Sequence, residues 1–385
     1  MRKYLKRLGT FLLFLVVALC FAASLVPPFL DRIYYEGPVS DHYDGARFYN
    51  PDGDDTAAPP SGGSRTGFLA RRLTGAGERA AWPENVAVTP ARPAPRVDGS
   101  EMVATWVGHA TMLVQTQGLN ILTDPIWSDH AGPFGLGPRR VAEPGIRFED
   151  LPKIDLILVS HNHYDHMDLD TLKRLWDRDR PTIVTSLGND TLLNKQGIEA
   201  RAVDWGARMA LRPGIEVAVT RNHHWGSRWF VDRNRALWSS FTVRLPGGNI
   251  FFAGDTGMGD GRWPGEAAAL GPVRLAILPI GAFRFARGQM GTGSHIGPID
   301  AARVFSRLGA AEGIAIHWGT FRLSDEGYDT PPKMLAEVMR CARAPADRFR
   351  AVRIAEAVSV APLGAPRTRE PDAACLTRDA VTRWP

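Results

Sequence analysis

His161-Asn162-His163-Tyr164-Asp165-His166 places three imidazoles and one carboxylate within six residues. The apolar run 154–159 leads directly into this segment, and Ser160 ends the run. Leucine and β-branched residues in a run of this length are typical of a buried strand. The segment is therefore predicted to be a loop at the carboxyl end of a strand, where α/β proteins concentrate their chemistry.

The same segment contains the ligand types of a metal site, because neutral imidazole and carboxylate suit zinc and similar first-row divalent ions. Four such ligands are more than one ion uses when a catalytic site keeps a coordination position open. The spacing therefore predicts a site for two metal ions.

Three later segments each place a candidate ligand directly after a predicted strand. The strands are 217–220, 250–253 and 313–316, and the residues that follow them are Asn222-His223-His224-Trp225, Gly254-Asp255-Thr256-Gly257 and His317-Trp318-Gly319-Thr320. A fold with two sheets brings such strand ends to one edge. We therefore expect these residues to meet the His161–His166 loop, with His223 and His224 competing for one position.

Short apolar runs dominate the chain between residues 102 and 341. Strands are predicted at 102–107, 112–116, 119–123, 154–159, 182–185, 217–220, 239–245, 250–253, 275–279 and 313–317. Helices are predicted after Asp168, which is placed to cap the first of them, and at 300–308 and 332–341. Many short strands with few helices favour two sheets covered by helices.

The composition allows a substantial core, with 385 residues of which 44% are hydrophobic and 23% are charged. The formal net charge of +5 comes from basic residues that are scattered along the chain. Since these residues form no stripe interleaved with aromatic side chains, we predict that the protein does not bind nucleic acid.

The N-terminus begins with the basic residues Arg2, Lys3, Lys6 and Arg7, which precede an uncharged run at 8–30. The apolar core of that run is near the ~20 residues that a membrane span needs. Basic residues before a span favour a cytoplasmic N-terminus. The sequence therefore predicts a single-pass protein of the bacterial inner membrane, with its catalytic domain on the exported, periplasmic side. A cleaved signal peptide is the alternative.

Four parts of the chain follow from these patterns. Residues 1–30 are the membrane anchor or signal segment, 31–100 an extended N-terminal region with a linker, 101–365 the main folded domain, and 366–385 a C-terminal tail. A polar and aromatic segment, 41–51, precedes the linker at 52–67, which is rich in Gly, Pro, Ser and Asp.

Cys341 and Cys375 could pair in an exported domain or remain two thiols.

The combination of a His-x-His-x-Asp-His loop, a later His, a Gly-Asp-Thr-Gly and a final His resembles the metallo-β-lactamase superfamily. Within it, the chain is most similar to the phospholipase D that hydrolyses N-acyl-phosphatidylethanolamine and to its bacterial relatives. The segments that carry this narrower resemblance are 106–111, 122–125, 161–168, 251–257 and 316–321. The resemblance implies an α/β fold, an αββα sandwich of two mixed sheets flanked by helices. The N-terminal run adds the predicted transmembrane helix to this fold.

The resemblance also implies a centre of two Zn²⁺ ions, or of iron or manganese in their place. Its ligands would be His161, His163 and His224 for the first ion, Asp165, His166 and His317 for the second, and Asp255 as the bridge. His224 is preferred over His223 because the family has a Trp after this ligand, as Trp225 is here. A hydroxide held between the ions would attack the substrate.

Three more residues have expected roles near this centre, and each role has an alternative. Asp124 orients a ligand imidazole or is a turn residue before Pro125. His295, just before a predicted helix, binds the substrate phosphate or protonates the leaving oxygen, or else caps the helix at the surface. His109 supports the ligands or packs in the core. With Asp165 and Asp255, His295 completes the predicted catalytic groups.

The activity implied by the resemblance is phospholipase D-type hydrolysis of a phosphodiester in N-acyl-phosphatidylethanolamine-like lipids. The expected partners are a phospholipid or another small phosphodiester and the membrane, and the chain is compatible with a homodimer. The segment 284–295 is richer in glycine and more basic than in the phospholipase relatives. A lactone, an amide or another phosphoester is therefore the alternative substrate, and a metal-binding module without catalysis is the second alternative.

Overall fold

The computed structural model describes residues 2–53, 80–229, 231–285, 291, 293–364, 368–377 and 383–384. Most of the predicted linker 52–67 and part of segment 284–295 lie outside these residues. The described chain forms two mixed β-sheets that share one core, and helices pack on both outer faces.

The described residues contain fourteen strands. In chain order they are β1 Met102–Gly108, β2 Thr111–Thr116, β3 Leu119–Thr123, β4 Leu156–Val159, β5 Thr182–Ser186, β6 Arg201–Val203, β7 Arg208–Arg212, β8 Ile215–Thr220, β9 Ser240–Arg244, β10 Asn249–Phe252, β11 Val273–Pro279, β12 Glu312–Ile316, β13 Phe349–Ala351 and β14 Ala357–Ser359. The first sheet has the spatial order β14-β1-β2-β3-β4-β5-β6, and the second has the order β13-β12-β11-β10-β9-β8-β7. Strands β3 to β6 and β10 to β13 are parallel, and the other pairs are antiparallel.

The main core lies between the two sheets. Because side chains alternate along a strand, β1 sends Met102 and Trp106 to this core. Ile250 and Phe252 of β10 enter the same core from the second sheet, whereas Phe251 between them packs on the opposite face under helices. A shift of one residue would exchange these faces, so the apolar pattern fixes the register of the strands.

The described residues form seven α-helices, of which the first has exposed side chains and the others pack on the outer faces of the two sheets. They are α1 Arg2–Leu30, α2 Leu169–Asp179, α3 Asn189–Asn194, α4 Trp263–Ala268, α5 Pro298–Leu308, α6 Thr330–Cys341 and α7 Ala373–Leu376. Helix α2 buries Leu172 and Leu175 on the first sheet, and α4, α5 and α6 pack on the second. Asp168 caps α2 as predicted, because its side chain accepts a hydrogen bond from the Thr171 amide.

The predicted sandwich of two mixed sheets flanked by helices is observed. The predicted strands and the three predicted helices are present, with ends within two residues of the predicted ones. Strands β6, β7, β13 and β14 were not predicted, because they are only three to five residues long and lie at or next to the sheet edges. In β7 the side chains are exposed or half-buried, so the apolar alternation that marks a strand is missing.

The prediction of an N-terminal transmembrane helix is wrong. Helix α1 is present, but no helix among the described residues has the length and apolar character needed to cross a membrane. Helix α1 includes the charged residues Lys3, Lys6 and Arg7 near its start. The predicted membrane partner and the predicted single-pass inner-membrane location with an exported domain relied on that span, and they are wrong with it.

Cys341 and Cys375 form a disulfide, with their Cα atoms 5.5 Å apart. The bond joins the last residue of α6 to α7. Of the two alternatives that the sequence left open for these residues, the structure therefore contains the paired one. The disulfide fastens the segment around α7 to the helical layer that covers the second sheet.

Candidate metal centre

The candidate site lies at one edge of the sandwich, where strand ends from both sheets meet. The His161–His166 loop follows β4 of the first sheet. His224, Asp255 and His317 come shortly after β8, β10 and β12 of the second sheet. The fold thus brings together the four segments that the sequence analysis selected, although they are far apart in the chain.

Three histidines form one group of candidate ligands, the imidazole cluster: His161, His163 and His224. One ring nitrogen of each lies within 4.8 Å of the others. His163 Nδ1 is 2.8 Å from His161 Nε2 and 3.5 Å from His224 Nε2. Three ring nitrogens converging in this way are the donor arrangement of a divalent metal site that keeps a fourth position open.

A second group, the mixed cluster, contains Asp165, His166, His317 and His109, whose ligand atoms also lie within 4.8 Å of one another. His166 Nε2 and His317 Nε2 face each other at 3.3 Å. His109 Nε2 is 3.0 Å from Asp165 Oδ2. His109 is buried, as a core residue would be, and its ring also contacts the candidate ligand Asp165.

Asp255 lies between the two clusters. Its Oδ2 is 3.0 Å from His166 Nε2 and 3.1 Å from His317 Nε2. A carboxylate oxygen of Asp255 also lies within 4.8 Å of the ligand atom of His224. This placement suits a carboxylate that is shared by two ions.

The imidazole cluster is uncharged at neutral pH. Burial, and then the neighbouring imidazoles, hold the pKa of His161 well below its ordinary value. Burial lowers the pKa of His163 to about 4 and keeps that of His224 well below normal. All three rings are therefore neutral at pH 7, which is the form that binds a metal ion.

The mixed cluster stabilises positive charge instead. Burial opposes protonation of His317, but the Asp255 and Asp165 carboxylates outweigh it and raise the pKa of His317 to about 9. The pKa of His166 is raised well above its usual value by the same two carboxylates, again against burial. Burial favours the neutral form of Asp255, yet His166 and His317 hold its pKa well below the ordinary range. The cluster is thus an environment in which a cation is favoured.

An unpaired carboxylate oxygen shows that these residues fit a cation. Among the described residues, Asp255 Oδ1 is buried and has no hydrogen-bond partner. Leaving a buried carboxylate oxygen without a partner is unfavourable, and buried charges in proteins are normally paired or coordinate metals. Together with the converging ring nitrogens, this donor set suits first-row divalent ions.

For His166 and His224, the ring nitrogen that faces away from the centre has a fixed partner. His166 Nδ1 donates to Asp124 Oδ2 at 2.6 Å. His224 Nδ1 donates to the Ser294 carbonyl at 2.9 Å. Such partners fix the tautomer and leave Nε2 of each ring for a metal ion. Asp124 thus occupies the orienting position that the sequence analysis weighed against a simple turn.

The backbone is strained where the site residues are presented. His109, Asp124 and His317 have φ angles of 51°, 29° and 63°, a region that residues with side chains seldom adopt. Each such residue costs about 1–3 kcal/mol, and this kind of strain clusters at functional sites. Gly254 has a φ of 60°, and a Cβ there would lie 2.6 Å from the Ser160 side chain, so the position requires glycine.

His295 lies at the rim of the centre. Its Nδ1 is 3.7 Å from Asp255 Oδ2, and its ring centroid is 5.3 Å from that of His224. The side chain keeps 15% of its surface exposed, so a substrate can reach it. Burial lowers the pKa of His295 to about 4, and the ring is therefore neutral at pH 7. Helix α5 begins only at Pro298 and has Gly297 at its cap, so His295 does not cap it.

His223 is turned away from the clusters. Its Nδ1 is 3.0 Å from Asp52 Oδ1, and the structure therefore brings His224, not His223, to the site. Sequence reasoning missed Asp52 and the nearby Asn50, which contacts the backbone of His224. The only signal for Asn50 was the unusual polar and aromatic composition of the segment 41–51, and Asp52 fell in the predicted linker 52–67.

Comparisons with known proteins show which family the chain belongs to. Residues 119–318 match the family described as the β-lactamase superfamily domain. The chain is 36% identical over 256 residues to N-acyl-phosphatidylethanolamine-hydrolyzing phospholipase D 1 of Caenorhabditis elegans. This alignment covers 62% of the chain and 70% of that relative. It is also 33% identical over 242 residues to the mitochondrial N-acyl-phosphatidylethanolamine-hydrolyzing phospholipase D of Saccharomyces cerevisiae. That alignment covers 60% of the chain and about half, 51%, of the relative.

The fold also has a counterpart among solved structures. The metallo hydrolase Igni18 of the archaeon Ignicoccus hospitalis superimposes with a TM-score of 0.53 at 19% sequence identity, covering 68% of this chain and 99% of Igni18. A likeness at this identity concerns the fold alone. The family match, however, extends over more than half of the 385 residues. The chain therefore belongs to the β-lactamase superfamily, among its metal-dependent hydrolases.

Proposed function

We propose that the protein is a phosphodiesterase of the phospholipase D type, which uses two divalent metal ions to hydrolyse N-acyl-phosphatidylethanolamine or a related phospholipid. The observation that carries the proposal is the arrangement of two ligand clusters around Asp255, in a chain that covers 70% of a relative named for this reaction. The products would be phosphatidic acid and an N-acylethanolamine.

The two clusters would each hold one ion. The assigned ligands are His161, His163 and His224 for one ion, Asp165, His166 and His317 for the other, and Asp255 for both. Zinc, iron or manganese bound there would supply Lewis-acid stabilisation of the phosphoryl oxygens and an activated water near neutral pH. His109 supports this set from the side, since its Nε2 lies 3.0 Å from Asp165 Oδ2 and orients that carboxylate.

Asp255 contributes charge as well as a ligand atom. Burial favours its neutral form, but His166 and His317 keep its pKa well below the ordinary range. The carboxylate is therefore ionised at pH 7, and it would offset the mutual repulsion of two cations held by the two clusters.

His295 is the residue that we assign to the substrate. Its ring is neutral at pH 7, lies 3.7 Å from Asp255 Oδ2 and is partly exposed. An imidazole N–H at this position can donate a hydrogen bond to a phosphoryl oxygen as negative charge develops on it. This role corresponds to the first of the two that the sequence analysis expected for His295, binding of the substrate phosphate.

A positive side chain also lies close to the imidazole cluster. Trp225 packs edge-on against His163, with ring centroids 4.3 Å apart. The Arg233 guanidinium lies over the Trp225 ring at 4.1 Å. A guanidinium held by an aromatic face is suited to attract the phosphate of a phosphodiester to the mouth of the site.

A different ester or amide is the second candidate substrate, and the sequence of the segment 284–295 favours it. This segment contains Gly288, Gly291 and Gly293 next to two arginines, which is the composition on which the sequence analysis based the alternative substrate. The family resemblance implies that the segment before His295 influences which substrate is selected. Lactones, amides and other phosphoesters therefore belong in the same test.

Hydrolysis of a small substrate panel by the full chain, loaded with zinc, manganese or iron, tests the proposal. The panel contains N-acyl-phosphatidylethanolamine, bis(4-nitrophenyl) phosphate and an acyl lactone, and Asp255→Asn serves as the inactive control. We expect phosphatidic acid from the lipid. A chain that binds two ions and cleaves only the lactone or the small phosphodiester would overturn the lipid assignment. Inactivity on all substrates with both ions bound would indicate a metal-binding module.

A further inference from the structure

An extended N-terminal segment, residues 31–53, lies across the loop that carries His224. We call this segment the N-terminal strap. Its contacts with the residues after the ligand include the ion pair of Asp31 with Arg235, the hydrogen bond from Tyr34 Oη to Asp232 Oδ2 at 2.7 Å, and that from the Phe48 amide to the Asn234 carbonyl at 2.8 Å. The strap is thus fastened to the fold along much of its length.

The end of the strap contacts the ligand loop itself. Asn50 Nδ2 donates to the His224 backbone carbonyl at 2.8 Å, and Asn50 Oδ1 accepts from Trp238 Nε1 at 3.1 Å. Two residues later, the Asp52 carboxylate lies 3.0 Å from His223 Nδ1. Asn50 is only 3% exposed, so its amide group is committed to partners inside the protein.

These contacts complete the support of the His224 ring. The Ser294 carbonyl, 2.9 Å from His224 Nδ1, sets the rotation of the ring, whereas Asn50 fixes the backbone from which the ring projects. On the other side of the loop, Asn222 Nδ2 donates to the Asp255 carbonyl at 2.9 Å. The ligand loop is therefore held between the strap and the loop that carries Asp255. Metal–ligand distances tolerate only about ±0.2 Å, so a loosened backbone weakens binding.

We propose that Asn50 is a positioning residue for metal binding: its side-chain amide fixes the His224 backbone so that the imidazole cluster binds its ion tightly. The inference rests on the metal site proposed above, in which His224 is a ligand. It gives the N-terminal strap a function at a ligand 174 residues further along the chain. Residues that hold metal ligands in this way typically account for about 10–100-fold in metal affinity.

Two substitutions separate this role from a general contribution to the fold. Asn50→Asp replaces the donor to the His224 carbonyl by an oxygen and keeps the acceptor for Trp238. Trp238→Phe is the matched control, because it removes the hydrogen bond on the other side of Asn50 and leaves the His224 carbonyl paired. Asn50→Ala covers the case in which a buried carboxylate at position 50 hinders folding.

The measurements are the stepwise affinity of the full chain for zinc, by competition with a chelator, and the absorption spectrum of the Co²⁺-loaded protein, which reports ligand geometry independently of turnover. For Asn50→Asp and Asn50→Ala we expect one of the two zinc equivalents to bind about 10–100-fold more weakly, with an altered cobalt spectrum. The other equivalent should change by less than about twofold. Trp238→Phe should keep both affinities.

Three results overturn the inference, and His224→Ala distinguishes them from failure of the metal site. If His224→Ala loses one ion but the Asn50 variants bind as wild type, Asn50 does not position the ligand. If Trp238→Phe weakens zinc as much as Asn50→Asp, Asn50 acts only through the stability of the fold. If His224→Ala binds both ions like wild type, the ligand assignment itself is wrong and the inference is wrong with it.

Discussion

Replacing Asp124 by asparagine tests how the mixed cluster is prepared for its ion. The Asp124 carboxylate is fully buried and accepts hydrogen bonds from the Ser160 amide at 2.7 Å, the Ser160 hydroxyl at 2.6 Å and His166 Nδ1 at 2.6 Å. Asparagine has nearly the same shape but offers one oxygen and an NH₂ group. Where the NH₂ group replaces Oδ2, His166 Nδ1 has to accept, and the imidazole proton moves to Nε2.

That tautomer places a proton on the nitrogen that faces the centre, 3.0 Å from Asp255 Oδ2 and 3.3 Å from His317 Nε2. His166 Nε2 then no longer offers a lone pair to a metal ion. We expect the affinity for the ion of the mixed cluster to fall about 10–100-fold, which corresponds to about 1.4–2.8 kcal/mol. Hydrolysis should fall at limiting metal and recover in part at high metal concentration.

Chelator competition on the folded variant measures the change, and Asp168→Asn is the matched control. Asp168 is similarly buried and accepts from Thr171 Oγ1 at 2.6 Å and the Ser128 amide at 3.1 Å, but it faces the start of α2 and not the clusters. Because asparagine caps helices about as well as aspartate, this control should lose no more than about 1 kcal/mol of stability and no metal affinity. A folded Asp124→Asn variant that binds both ions as tightly as wild type would refute the reasoning.

Further substitutions test other parts of the account. His224→Ala should lose one of the two ions in elemental analysis, whereas His223→Ala should keep both, since its ring faces the strap. Cys375→Ser opens the loop that the disulfide closes over a sequence separation of 34, and should lower the free energy of unfolding in urea by up to about 4 kcal/mol relative to wild type. As a control, the variant and the wild type should be equally stable in a reducing buffer. Arg274→Met leaves three backbone carbonyls without their donor and should destabilise by about 2–4 kcal/mol in the same assay, with metal content unchanged.

The strands and helices that could be predicted are those with a clear run or repeat of apolar residues. The buried strand β10, for example, sends Ile250 and Phe252 to one core and Phe251 to another, and such a run is evident in the sequence. The edge strand β7 lacks this signal, because solvent covers part of each side chain. The transmembrane prediction relied on the uncharged run 8–30, but no helix among the described residues is long and apolar enough to cross a membrane.

The candidate site was predictable because its ligands lie in short motifs at strand ends. The residues alone did not separate His223 from His224. The structure separates them through Asn222, whose side chain bonds to the Ala253 and Asp255 carbonyls and so sets how the loop after β8 turns. Asn50 escaped prediction, because it lies in a segment without regular structure and acts on a backbone carbonyl far away in the chain.

Anomalous diffraction from crystals of the zinc-loaded chain tests most directly the claim that two ions share Asp255. The account predicts two peaks about 3.5–4 Å apart. One should lie among His161, His163 and His224, and the other among Asp165, His166 and His317, with the Asp255 carboxylate between them. A single peak at saturating zinc, or peaks that leave Asp255 without a metal contact, would contradict it.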